Sequence, residues 1–199
     1  MVRLVGLALS LLLVAGGTAQ AAPIHDAAAA GDVELVLSLI KGGESVEAPN
    51  EAGETPLMVA AQANKPEVVS ILLLNFANPH AISPLGRTAM HAAALGDAPL
   101  VMYALINMAA QVNVRDADGA TPLIVAADGG YGNSVTYLLG ERAELEAADN
   151  AGRTALTHAG LKGHKVIVNI LLRKGAQCQT IDPAWHAACE ARKAELGIK

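Results

Sequence analysis

The chain has 199 residues; 52% are hydrophobic, only 3% are aromatic and 40 are alanine, a composition suited to closely approaching helices rather than an aromatic-filled core. With 14 Lys and Arg against 19 Asp and Glu the formal net charge is −5, which excludes the basic field that a nucleic-acid backbone requires. Two cysteines cannot build a four-thiolate zinc site or a dense disulfide scaffold, and a charged fraction of 17% is too low for a disordered charged tail.

In chain order, Met1-Val2-Arg3 supplies a positive start and Leu4 to Val14 is almost wholly apolar. Gly16-Gly17-Thr18 breaks that run, and Ala19-Gln20-Ala21 has the small-x-small pattern of a cleavage site. Residues 1–21 therefore predict an export signal, cleaved after Ala21. The apolar stretch is shorter than the roughly 20 residues that span a bilayer, and no Cys follows for lipid attachment. The expectation is an unanchored periplasmic protein, or a secreted one in a cell without a periplasm.

From there a period of 33 residues organises the chain. Gly53, Gly86, Gly119 and Gly152 share one column, and Thr55, Thr88, Thr121 and Thr154 the next but one. Leu57, Met90, Leu123 and Leu156 follow, then Ala60, Ala93, Ala126 and Ala159. Leu39, Leu72, Leu105, Leu138 and Leu171 carry the pattern one unit upstream.

Each unit reads as turn, helix, loop, helix. Asn50, Ser83, Asp116 and Asp149 can accept backbone hydrogen bonds at the start of a turn that glycine closes three residues later. Thr55-Pro56 and Thr121-Pro122 are an N-cap followed by a first-turn proline. Ala60-Ala61, Ala93-Ala94 and Ala126-Ala127 admit close neighbours, and Val68, Val69, Leu72 and Leu73 make one apolar helical face. Such a pair cannot bury its apolar face alone, so stacking must supply the core.

The runs Gly53-Glu54-Thr55-Pro56-Leu57, Gly119-Ala120-Thr121-Pro122-Leu123 and Thr88-Ala89-Met90-His91-Ala92-Ala93 resemble the ankyrin repeat, and the resemblance covers about residues 24–180. It implies an all-α ankyrin-repeat solenoid of five repeats over 22–181, starting near residues 22, 50, 83, 116 and 149. A capping helix over 182–199 completes it, with Trp185, Ala188, Cys189, Arg192 and Leu196 on one side. β-turn fingers would line one edge of a concave groove formed by the first helices. The family often has glycine after the second helix, where this chain has Phe76, Ala109 and Arg142; those turns are expected to be strained or rearranged. Pro79, in a column of Val46, Val112, Leu145 and Cys178, suggests an irregular turn.

No chemistry-bearing motif competes with a structural reading. The six histidines lack the spacing of a helical metal site, and His91 resembles the family's structural partner of the preceding Thr. Gly129-Gly130-Tyr131-Gly132 has no strand before it, and Asp116-Ala117-Asp118-Gly119 lacks the later acidic ligand of a calcium loop. Neither a cofactor nor a metal is expected, nor an enzyme. Cys178 and Cys189 are candidates for a disulfide between the last repeat and the cap, about 2–3 kcal/mol if unstrained; the alternative is two buried free thiols.

By resemblance, a protein partner would be met by finger tips and by the loop ends of the first helices. The candidates are Glu51, Glu54, Gln62, Ile82, Leu85, Arg87, Leu95, Asp118, Asp128, Arg153 and Leu161. Ile82, Leu85 and Leu95 are apolar where solvent is expected, so with Arg87 they read as an interface centre, unless they pack on adjacent fingers. Residues 22–157 hold 16 acids and 6 bases (net −10), residues 158–199 hold 3 and 7 (net +4), which suggests a partner with a basic face. The leading expectation is a monomeric, non-enzymatic scaffold for a periplasmic or envelope protein. An inhibitory or protective subunit of a periplasmic enzyme is the alternative.

Overall fold

The structure is a computed structural model that describes residues 23–198. The export-signal reading, with Ala19 and Ala21, lies outside the described residues. Those residues form five helix pairs and a final helix. The pairs are α1 (Pro23–Ala30) and α2 (Val33–Lys41), α3 (Pro56–Gln62) and α4 (Pro66–Leu74), and α5 (Ala89–Leu95) and α6 (Pro99–Asn107). They continue with α7 (Pro122–Gly129) and α8 (Gly132–Gly140), α9 (Ala155–Leu161) and α10 (Lys165–Arg173), and end on α11 (Pro183–Glu195). First helices pack in one row, α1 on α3 on α5 on α7 on α9, and second helices in another.

The columns explain the core. Leu72, Leu105, Leu138 and Leu171 are wholly buried, as are Ala60, Ala93, Ala126 and Ala159; the short alanines let successive first helices approach closely. Leu39, from the same leucine column, is only partly buried, because α2 ends the row of second helices and has one, α4, on one side only. Thr55, Thr121 and Thr154 cap α3, α7 and α9 by accepting the N–H of Met58, Ile124 and Thr157.

Two expected departures resolve differently. Phe76, Ala109 and Arg142 keep the left-handed turn that Gly43 and Gly175 make at the equivalent positions, at φ +67°, +61° and +61°. The turns are therefore regular in shape and strained in backbone. Pro79 disturbs nothing: the Ala81 N–H donates to the Asn78 carbonyl at 3.2 Å, as Ala48 does to Ser45 and Ala147 to Glu144. Pro79 thus stands second in a four-residue turn, a position that its fixed φ suits.

The helix expected over 182–199 spans Pro183–Glu195 and covers less than expected. The Asp182 carboxylate accepts the Trp185 N–H at 2.7 Å and starts α11, which packs on α9. Cys189 is fully buried and Trp185, Arg192 and Leu196 partly so, whereas Ala188 is exposed. A groove of about 460 Å³, lined by Gly160, Val168, Trp185 and Ala188 among others, remains beside it. Cys178 and Cys189 form a disulfide, Cα–Cα 5.8 Å, so the free-thiol alternative falls. Among the described residues no helix is long and apolar enough to cross a membrane.

Candidate functional site

The fingers are built from one local device. The Oδ1 of Asn50, Asp116 and Asp149 each accepts two backbone N–H groups, two and four residues on, at 2.9–3.0 Å. Ser83, with a shorter side chain, accepts one, from Arg87 at 3.3 Å. The glycine that follows each of the four holds a φ of +73° to +78°, which a β-carbon would oppose. Three fingers are also tied together: the Ala117 N–H donates to the Leu85 carbonyl at 3.0 Å, and the Asn150 N–H to the Asp118 carbonyl at 2.9 Å. These bonds hold the finger edge together, and the Asn150 side chain adds another, its Nδ2 donating to the Ala117 carbonyl at 3.0 Å.

Between those fingers and α5, α7 and α9 lies a groove of about 560 Å³. Its floor includes Leu95, Ile124 and Val125; around them runs a chain of charges. The Arg87 Nε donates to Asp116 Oδ2 at 3.5 Å. Asp149 Oδ2 accepts from Arg153 Nε at 3.2 Å, from Arg153 Nη2 at 3.0 Å and from His158 Nε2 at 2.9 Å. The other ring nitrogen of His158, Nδ1, meets Asp128 Oδ1 at 2.8 Å. Carboxylates can only accept, so both His158 bonds form when the ring carries both its protons. Burial by itself would raise the Asp149 carboxyl, but the Arg153 backbone N–H, the His158 ring and the Arg153 guanidinium donate to it and hold it below the usual carboxylate range.

Histidines elsewhere serve the stack. The Thr88 N–H donates to His91 Nδ1 at 3.2 Å, which leaves the ring proton on Nε2, and that atom donates to the Ala120 carbonyl at 3.0 Å. Burial pushes the His91 pKa down, against the Ala120 carbonyl and the Asp116 charge. His25, two periods upstream, makes the corresponding bond to the Glu54 carbonyl at 3.1 Å. His164 Nε2 donates to the Asp128 carbonyl at 2.9 Å. Among the described residues, no group of three His, Cys, Asp or Glu side chains is arranged to hold a metal ion.

The structure brings five of the eleven sequence candidates, Arg87, Leu95, Asp118, Asp128 and Arg153, into this one groove. Glu51, Glu54 and Gln62 belong to the first finger and the end of α3, outside it. Leu161 is exposed at the end of α9, and Leu85 is exposed with its carbonyl tied to the next finger. Ile82 lines a separate cavity with Pro79, His80 and Val114, so Ile82, Leu85 and Leu95 are not one patch. Leu95 itself is partly buried against the core.

Sequence reasoning missed His158 and the pairing roles of Asp116 and Asp149. A signal existed. His158 occupies the column of Val59, Ala92 and Val125, and Asp128 that of Gln62, Leu95 and Leu161. Each breaks an otherwise largely apolar column, and the stacking of α9 on α7 brings the two together.

No curated protein matches the chain significantly. Residues 24–116 and 92–182 match the family model for ankyrin repeats in three copies, a family whose repeats generally mediate protein–protein interaction. With that match over most of its length and five stacked helix pairs behind one finger edge, the chain belongs to the ankyrin repeat family.

Proposed function

We propose that this protein is a non-enzymatic binding module that holds a protein partner in the groove between its fingers and α5, α7 and α9. The observation that carries the reading is the rigidity of that groove. Three fingers are joined by backbone hydrogen bonds, and their side chains are fixed by the network through Asp116, Asp149, His158 and Asp128. A surface already ordered loses little conformational entropy on binding. Both ring nitrogens of His158 are already engaged by carboxylates, so it is not placed as a free general base.

Export to the periplasm belongs to the same proposal. It is supported by the residue pattern of positions 1–21 and by the Cys178–Cys189 disulfide, because such bonds persist in oxidising compartments. Affinity capture from a native periplasmic extract, with wild type and Leu95→Asp as paired baits, tests the reading. The fold should tolerate this substitution, since Asp128 fills the same column one repeat on. A stoichiometric protein retained by wild type and lost with Leu95→Asp is the expected result; equal retention by both baits would remove the groove as the binding surface. Inhibition or protection of a captured enzyme would assign an accessory role rather than passive scaffolding.

A further inference from the structure

Cys189 is the one fully buried side chain of α11, and it is half of the disulfide to Cys178. The two halves are held very differently. Cys178 lies in a segment anchored without it: the Ala176 N–H donates to the Leu171 carbonyl at 3.1 Å, and the Gln177 N–H to Glu146 Oε1 at 3.0 Å. Gln179 Oε1 then accepts the Thr154 N–H at 3.2 Å and the Thr157 hydroxyl at 2.7 Å. On the other half, a single hydrogen bond among the described residues joins α11 to the stack, from Arg192 Nε to Asn169 Oδ1 at 2.8 Å. Trp185 adds its ring over Gly160. Its Nε1, like Nδ1 of His186, is buried without a protein partner, and such burial costs free energy. Between the two halves Thr180 and Ile181 are exposed, and neither makes a hydrogen bond among the described residues.

We propose that the Cys178–Cys189 bond is a reversible strap: its reduction by a protein dithiol lets α11 swing off α9 about Thr180 and Ile181, while the Cys178 segment stays in place. Cys178 is partly exposed and Cys189 is not, so a thiolate of the reductant reaches the Cys178 sulfur first. The S–S bond breaks, Cys189 leaves as a thiolate and takes up a proton, and Cys178 is held in a mixed disulfide. The second thiol of the reductant then displaces Cys178, which takes up a proton in turn. Two electrons pass from the dithiol to the protein, and the reductant becomes a disulfide. While closed, the bond keeps α11 beside its seat. It offsets the buried orphan atoms and the ordering of a helix that has one hydrogen bond and one large ring to hold it. Opening widens the cleft at Gly160 and Val168 and bares the end of the stack. This device is independent of the groove between the fingers.

Hydrogen–deuterium exchange of the whole chain, oxidised and after reduction with dithiothreitol, tests the strap. Expected is exchange about tenfold faster or more in residues 183–196, reversed on reoxidation, with residues 176–179 and α3 to α8 unchanged. Cys178→Ser with Cys189→Ser should show the same pattern without reductant. Unchanged exchange in α11 would overturn the proposal, since the helix would then be held without the bond. Protection lost through α3 to α8 as well would also overturn it, by making the bond a tie of the whole fold. The point of attack is read separately, by mass spectrometry of the mixed disulfide trapped with a single-cysteine variant of a dithiol oxidoreductase. A link at Cys178 is expected, and a link at Cys189 contradicts the order of steps.

Discussion

Phe76 holds a backbone φ of +67° while its side chain is 92% exposed, so the residue bears left-handed strain with almost no packing in return. Phe76→Gly is expected to raise the unfolding free energy by about 1 kcal/mol, read as a higher denaturant midpoint; a fall would reveal packing that this exposure does not account for. His91 gives a pH prediction. Burial lowers its folded-state pKa below the unfolded value of about 6.5, so its contribution is complete above that pH and is lost as pH falls through the folded value. Stability should therefore decline on mild acidification, and His91→Gln should remove that slope. Asp149, also lowered, adds a second loss on further acidification below about pH 4. Urea melts across this pH range check both, and stability that rises on acidification would contradict them. At this scale the sequence was partly legible. The missing glycine at Phe76, Ala109 and Arg142 showed from the column alone, but the shape that those turns keep did not, because it depends on how firmly neighbouring repeats hold them.

Gly160 occupies a column otherwise filled by Ala61, Ala94 and Ala127, and the reason lies in α11. A β-carbon there would overlap the Trp185 ring, so the last first-helix gives up a methyl to seat the cap. Glycine to alanine inside a helix normally stabilises by roughly 0.5–1 kcal/mol. Here overpacking reverses the sign, and Gly160→Ala should cost about 1–3 kcal/mol, with faster amide exchange in α11. A gain in stability would mean that Trp185 does not hold the cap. Cys178→Ser with Cys189→Ser removes the second tie and should cost about 2–3 kcal/mol, measured by thermal melts under oxidising conditions. The helix pairs were legible because a fixed period forces each column into one environment. The cap was legible as an element but not in its coverage, since a single terminal helix repeats nothing against which its burial could be read.

At the level of the whole molecule, charge shows where sequence reading stops. The totals over residues 22–157 are acidic, yet two of the groove's four acids, Asp116 and Asp149, lie buried against Arg87 and Arg153, which stay partly exposed. Pairing within and between the fingers decides that arrangement, and no count along the chain contains it. Arg87, Leu95, Asp118, Asp128 and Arg153 were legible as finger tips and loop ends, and those positions line the groove. Ile82 was misplaced beside Leu95 because nearness in sequence says nothing about which side of a finger a residue leaves. The central claim is that the binding surface is this groove rather than the exposed apolar residues elsewhere, Leu74, Phe76 and Leu100 among them. Hydrogen–deuterium exchange of the chain with and without its captured partner addresses it most directly. The account predicts new protection in residues 116–129 and 149–162 and none in α4 or α6. Protection confined to α4 and α6, with the fingers unchanged, would contradict it.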